Sequence, residues 1–443
     1  MRIAALMATL IAASGAVQSA SAQPSPGTSG LRRTFVSLTD AANAVIVEPP
    51  QSDPVRGRIA ILVVHPEHLN LFDYFLGPEF ARRGYRTMLM NYYGREETYD
   101  EFLAPIAAAV RYLRRQPGIE KVVLAGHSSG GAELSFYQDV AENGPAACRG
   151  AERTVPCKTE PASDLPRADA LMLLEANIGA PLRTMSIDPA VDNVHPRVRN
   201  PALDMFDPRN GFDAKSGAGH YSADFEYRFL AAQRARNVRL IEQASARLEK
   251  IDEGQGQFAD DEPFVVAGGS VRINGARLDL ADRRLLSRTR EPRLLLKGDG
   301  TTNTQIVSTA LGGTASAADL GRLYDTAQAG TVRHYLSFYG LKTTPEYTLT
   351  ANDIRGILWR SSANSAPGNV EGVTVPTLVM AGTCTVHLVP LEITYEHSAA
   401  KDKQFVAVEG ADHFFQPCKP QYRDTARSAF DFADAWLTNP GRL

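Results

Sequence analysis

The sequence predicts an α/β protein: a mainly parallel sheet flanked by helices. Three observations carry this expectation. Short apolar runs alternate with amphipathic, helix-length stretches over 58–174. The same alternation returns over 375–437. One run, Lys121-Val122-Val123-Leu124-Ala125, passes straight into Gly126-His127-Ser128-Ser129-Gly130 and then into Gly131-Ala132-Glu133-Leu134-Ser135-Phe136-Tyr137. Strand, sharp turn and helix is the context a G-x-S-x-G nucleophile elbow requires. The glycines let the chain turn tightly and push the serine into a strained, exposed position, where its hydroxyl can reach a base.

Each element follows from its own residues. Residues 1–22 read as a signal peptide: basic Arg2, apolar Ile3 to Ala13, and the small-residue site Ala20-Ser21-Ala22, with cleavage expected after Ala22. This implies a secreted or periplasmic protein. The apolar stretch is short for a bilayer span and none later is long enough, so stable membrane insertion is not expected. Residues 23–30, rich in Pro, Ser and Gly, form a flexible lead-in. Arg58 to His65 is a buried strand, Phe72 to Arg83 a helix stopped by Gly84, and Tyr85 to Asn91 a strand. Tyr99 to Arg115 is a helix ended by Pro117-Gly118, and Ala168 to Leu174 is the strand after the serine. Then the alternation breaks. A long amphipathic helix is expected from Ser222 to Glu253, with strand-like runs at Pro263 to Ala267 and Arg293 to Leu296. The alternation resumes with a strand at Val375 to Ala381, a helix at Leu391 to Ala400, a strand at Gln404 to Val408 and a helix at Tyr422 to Leu437.

The strand, Gly126-His127-Ser128-Ser129-Gly130-Gly131 and helix together resemble the serine hydrolases of the α/β-hydrolase superfamily. The resemblance implies an α/β-hydrolase fold with Ser128 as nucleophile, the Ser129 N–H as one oxyanion donor, and an acid and then a histidine following in the chain. It also divides the chain. Residues 31–175 are the first half of a hydrolase core, 176–372 a large, mostly helical cap inserted after the strand that follows the nucleophile, and 373–443 the second half.

Among nine histidines, His413 in Gly410-Ala411-Asp412-His413-Phe414-Phe415 stands where the resemblance places the general base, just past the last strand. Imidazole suits that task because it exchanges protons near neutrality. The acid is ambiguous. The loop after Ala381 reads Gly382-Thr383-Cys384-Thr385-Val386-His387, with no carboxylate before Glu392. Glu175, at the end of the preceding strand, is one candidate, because a carboxylate there is costly to bury unless paired. Glu392 is the other. The second oxyanion donor falls in His65-Pro66-Glu67-His68. Proline has no N–H, so Glu67 or His68 must supply it.

Four cysteines in an exported chain suggest two disulfides, with three pairings open. Cys148 and Cys157 are close enough in sequence to staple a short loop, leaving Cys384 with Cys418 to tie the loop lacking an acid to the histidine loop. Free thiols remain the alternative if the chain is not exported.

A net charge of −3 gives no electrostatic case for nucleic-acid binding. No phosphate-loop, dinucleotide or H-E-x-x-H signature is present, so neither cofactor nor metal is implied. The expected function is hydrolysis of a small-molecule carboxylic ester. Tyr92, Tyr93, Phe414 and Phe415 point to an apolar or aromatic substrate. An amidase or peptidase with the same triad, or a catalytically silent binding protein, are the rivals. The oligomeric state is not legible.

Overall fold

Long runs of β-branched and apolar residues with both faces covered are what parallel strands require, and these runs form the centre of the molecule. In the computed structural model the strands of the first half are β1 (Arg32–Thr39), β2 (Ala42–Glu48), β3 (Ile59–Val64), β4 (Arg86–Tyr92), β5 (Lys121–Ser128) and β6 (Ala170–Ala176). The middle of the chain adds β7 (Phe212–Asp213), β8 (Ala218–Gly219), β9 (Pro263–Ala267), β10 (Arg293–Leu296), β11 (Thr302–Gln305), β12 (Ala327–Thr331), β13 (Thr343–Leu349) and β14 (Ile354–Ile357). The last two are β15 (Thr377–Gly382) and β16 (Lys403–Val408). The structure describes residues 30–51, 53–64, 70–93, 97–158, 164–269, 276–311 and 327–443. The expected signal peptide and nearly all of the lead-in lie outside the described residues, as do Glu67 and His68.

Ten strands join in one sheet in the order β1-β2-β4-β3-β5-β6-β15-β16-β10-β11. From β4 to β10 every neighbouring pair is parallel, whereas β1, β2 and β11 are antiparallel additions at the two edges. Alternate residues of each strand feed two separate cores. Leu62, Leu124, Leu173 and Val379 face the helices Leu103–Arg114, Gly130–Asn143 and Leu388–His397. Ile61, Val123, Met172 and Met380 face the helices Leu76–Arg82 and Thr425–Leu437. A mainly parallel sheet covered on both faces, with a serine turn at the end of a central strand, is the α/β-hydrolase fold.

The expected elements of residues 58–174 and 375–437 appear within a few residues of their anticipated limits, with two refinements. The stretches from Phe72 and Tyr99 each open with a 3-10 turn, Leu71–Asp73 and Tyr99–Phe102, before the α-helix proper. The β1–β2 hairpin was not anticipated. Its first strand is largely exposed, so it lacks the apolar run that marks the inner strands.

The segment between β6 and β15 carries the long helix, Ala223–Asp252, capped by Ser222, whose side chain accepts from Phe225 N. It packs into two further clusters. Phe225 and Phe229 sit with Met185, Leu341 and Ile354, and Leu240 and Ala244 with Phe264 and Tyr335. The ladders β7–β8, β9–β12 and β13–β14 belong to the same segment. This segment also extends the central sheet: Leu294, Leu295 and Leu296 of β10 pair in parallel with Val406, Ala407 and Val408 of β16. Three leucines without a neighbouring helical pattern gave no sign of that long-range pairing.

Leu295 is buried among the residues of the first core, whereas Thr304 on β11 is exposed. Leu295→Ala is expected to cost about 2–5 kcal/mol, as for other leucines truncated in a packed core. Thr304→Ala should stay within about 0.5 kcal/mol of the parent. Urea unfolding of the two variants checks this; a Leu295→Ala midpoint equal to that of Thr304→Ala would place β10 outside the sheet core.

Candidate active site

The turn after β5 is built by close approach of backbone. A methyl group at Gly126 would stand 2.6 Å from Gly131 Cα, and one at Gly131 would run into the Ala176 side chain. Only glycine lets β5, β6 and the helix Gly130–Asn143 meet this tightly. Ser128, between them, has φ +52°, a left-handed conformation uncommon for a residue with a side chain. Such a residue costs on the order of 1–3 kcal/mol and is kept where surrounding structure over-determines it. Ser129 follows as the cap of the helix, whose first N–H groups have no intrahelical acceptor and form its positive end.

Beside it, β6 carries an irregularity. His127 pairs with Leu174, yet the next residue, Ser128, pairs with Ala176. Glu175 is the extra residue of a bulge and adopts φ +47°. Bulges re-aim side chains and break the alternation of faces. Here Ala176 takes the place against Gly131, and the Glu175 carboxylate is delivered elsewhere, fully buried.

There the carboxylate meets donors from two loops. Oε1 accepts from Gly382 N and lies 3.1 Å from Thr385 Oγ1. Oε2 lies 3.0 Å from His387 Nδ1 and 3.2 Å from His413 Nδ1. An ionised carboxylate only accepts, so both imidazoles donate from Nδ1, which leaves each Nε2 as the ring's acceptor. Burial alone would raise the Glu175 carboxyl. The hydrogen bonds from His387 and His413 outweigh it and hold the group well below the usual carboxylate range. Glu175, His387 and His413 bring donor atoms within 4.8 Å of one another. Two rings meeting on one carboxylate oxygen is a hydrogen-bonding pattern, and we assign no metal to it.

The loop bearing His413 is braced from several sides. Cys384 N donates to Ala411 O at 2.9 Å, Cys418 N to Gly410 O at 2.8 Å, and Gly410 N to Thr383 Oγ1 at 2.8 Å. Asp412 Oδ1 accepts from Phe414 N and Gln416 N, each at 2.8 Å. The Cys384–Cys418 bond ties the same two loops together. His127, next to the serine, supplies the link across the turn: its Nε2 lies 2.7 Å from His413 O, and its Nδ1 lies 2.7 Å from Tyr74 Oη. The His127 and His413 rings are 4.5 Å apart, so the histidine loop is seated directly against the elbow.

The structure therefore brings Glu175 and His413 into direct contact and places both next to the Ser128 turn. Glu392 is elsewhere engaged: its buried carboxylate pairs with Arg293 Nε at 2.6 Å and accepts from Arg290 N at 2.7 Å. Both cysteine pairs are bonded, Cys148 to Cys157 and Cys384 to Cys418. Of the aromatic residues taken as substrate hints, Phe415 is buried and Tyr92 packs on Phe102. Tyr93 is exposed, its Oη 3.1 Å from Asn91 Nδ2. Phe414, half-exposed, lies against the rings of His127, His413 and Phe75. Two members of the cluster were missed in the sequence. His387 stands in the loop after β15, where a carboxylate was sought, and nothing local marks it. Tyr74 is far in sequence from both histidines.

No protein-family profile and no curated protein matches the chain. Among solved structures it is similar to a hypothetical protein of Pseudomonas aeruginosa, at 13% identity over 94% of this chain and 96% of that one, with a TM-score of 0.42. It is also similar to a thermophilic esterase of Thermogutta terrifontis, at 14% identity, 94% and 95% coverage and a TM-score of 0.35. A third is Est1E of Butyrivibrio proteoclasticus, at 12% identity, 91% and 98% coverage and a TM-score of 0.36. At these identities the chemistry is read from the residues of this chain alone.

Because Cys384–Cys418 closes the loop that seats His413, replacing both cysteines by serine is expected to lower stability by about 2–4 kcal/mol. Urea denaturation checks the magnitude. A double variant as stable as the parent would reduce the bond to a bystander.

Proposed function

We propose that the protein is an exported serine hydrolase that cleaves carboxylic esters of small apolar molecules through an acyl-enzyme. The observation that carries this reading is Glu175 Oε2 at 3.2 Å from His413 Nδ1, beside a serine in the left-handed conformation. A buried carboxylate that holds one imidazole tautomer is the orienting member of a Ser-His-acid triad.

The steps follow from the atoms present. Ser128 Oγ attacks the ester carbonyl carbon while His413 Nε2 takes its proton. The resulting imidazolium donates from Nδ1 to Glu175, which stays ionised because it is held low. Negative charge on the carbonyl oxygen is met by the Ser129 N–H at the helix start. Such a donor contributes about 3–4 kcal/mol to the transition state. His413 returns the proton to the departing alkoxide, which leaves as an alcohol. A water then repeats the sequence on the acyl-enzyme: His413 takes its proton, and the carboxylic acid departs as Ser128 recovers its own. Of residues 176–372, those outside β10 and β11 act as a cap that shapes the acyl or alcohol pocket, and the exposed Phe414 offers it an apolar wall. Two disulfides support an oxidising destination.

Labelling with a fluorophosphonate tests the reading. The parent should label rapidly and Ser128→Ala not at all. Glu175→Gln, which keeps the shape but favours the wrong tautomer, should slow labelling by about 10³–10⁴-fold. Matched ester and amide substrates should be split in favour of the ester. A folded parent that never labels would remove the hydrolase reading, and undiminished labelling in Glu175→Gln would remove Glu175 from the triad.

A further inference from the structure

A triad needs one imidazole on its carboxylate, and this site has two. His387 and His413 approach the same oxygen, Glu175 Oε2, at 3.0 and 3.2 Å, with ring centroids 5.1 Å apart. They come from different loops, after β15 and after β16, so the arrangement is not a by-product of neighbouring sequence. His387 is held as firmly as the rest of the cluster. Its N–H donates to Thr385 Oγ1 at 3.2 Å, Thr385 Oγ1 lies 3.1 Å from Oε1, and only 13% of its side chain is exposed. His413, at 31%, is the more accessible ring. This is the division of labour expected if His413 faces substrate and His387 does not.

We propose that His387 is a positioning residue that sets the working pH range of the site by sharing the Glu175 carboxylate with His413. The inference rests on the serine-hydrolase reading and deepens it. A carboxylate oxygen that already accepts one Nδ1–H is a weaker partner for a second, so His387 draws off part of the stabilisation that Glu175 gives to a protonated His413. The two rings also compete for the same proton. With both neutral the cluster carries one negative charge, which a single added proton on either ring would cancel. The second proton would place two cations on one buried carboxylate and is resisted. Both effects act in one direction: each weakens the hold of Glu175 on a positive charge at His413. Among the described residues, the titratable groups facing His387 are Glu175 from the end of β6 and His413 from the loop after β16. Its own loop adds only the neutral Thr385 hydroxyl, and His387 is itself the cap residue of the helix Leu388–His397. His413 is faced in addition by the His127 ring.

The test uses two readouts on the parent, His387→Leu and His387→Asn. One is the rate of fluorophosphonate labelling against pH. The other is the titration midpoint of the His413 ring in protein carrying ¹³C-histidine, identified by its loss in His413→Gln. In His387→Leu, which removes both the donor and the competing base, the acid-side midpoint should rise by about one pH unit in both readouts, with the plateau rate within a few-fold of the parent. His387→Asn keeps a donor near the Nδ1 position but takes up no proton, so its midpoint should rise by about half as much. The Asn variant decides alone if the Leu variant does not fold. A midpoint that stays put while the plateau falls would make His387 a purely structural residue and overturn the proposal. Loss of labelling at every pH in both variants would do the same, by making His387 indispensable to the chemistry. Absence of labelling in the parent, with the ring midpoint still moving on substitution, would remove the hydrolase reading and leave the coupling intact.

Discussion

The structure turns on a carboxylate with no access to water. An ionised Glu175 in the interior would be prohibitive alone, since a charge without compensation loses its hydration and receives nothing in return. Four neighbouring groups, the Gly382 N–H, the Thr385 hydroxyl and the Nδ1 atoms of His387 and His413, replace that water. Three lie at the end of β15 or on the loop that leaves it, and one on the loop that leaves β16. The need to satisfy one buried charge therefore constrains two connections at once, and the Cys384–Cys418 bond and the exchange of backbone hydrogen bonds around Gly410 and Ala411 hold those connections in register.

The same region carries the backbone strain. Among the described residues five non-glycine positions have positive φ, and three of them, Ser128, Glu175 and Phe415, belong to this site or adjoin it. Each is held by stronger surroundings. Ser128 lies between an inner parallel strand and the start of a helix, and Glu175 sits in a bulge between two inner pairings. Phe415 is buried in the second core, and Thr425 Oγ1 donates to its carbonyl at 2.6 Å. A sheet covered on both faces supplies the rigidity that lets such conformations persist.

The inner strands and the covering helices were legible in the sequence because each is marked by contiguous residues: an apolar run, an amphipathic repeat, a terminating glycine or proline. The elbow was legible for the same reason. The edges of the sheet were not. β1 is largely exposed, and β10 depends on pairing Leu294 to Leu296 with Val406 to Val408, more than a hundred residues away. The acid lay between these extremes. Glu175 stood out as a carboxylate closing an apolar run and was the preferred acid, with Glu392 the alternative until its contacts with Arg293 and the Arg290 N–H were seen.

What the sequence determined by itself was thus the local chemistry: a serine on a tight strand-to-helix turn, a histidine just past the last strand, cysteines placed to brace the loops, and the alternation that makes a parallel sheet. Tertiary structure alone decided which carboxylate meets His413, that His387 meets it too, and that Tyr74 and His127 link the elbow to the histidine loop. The reason is physical. Periodicity and turn chemistry are short-range and leave their mark on neighbouring residues, whereas a bulge that re-aims one side chain, and the partners a buried charge gathers from distant loops, are settled only when the sheet closes around them.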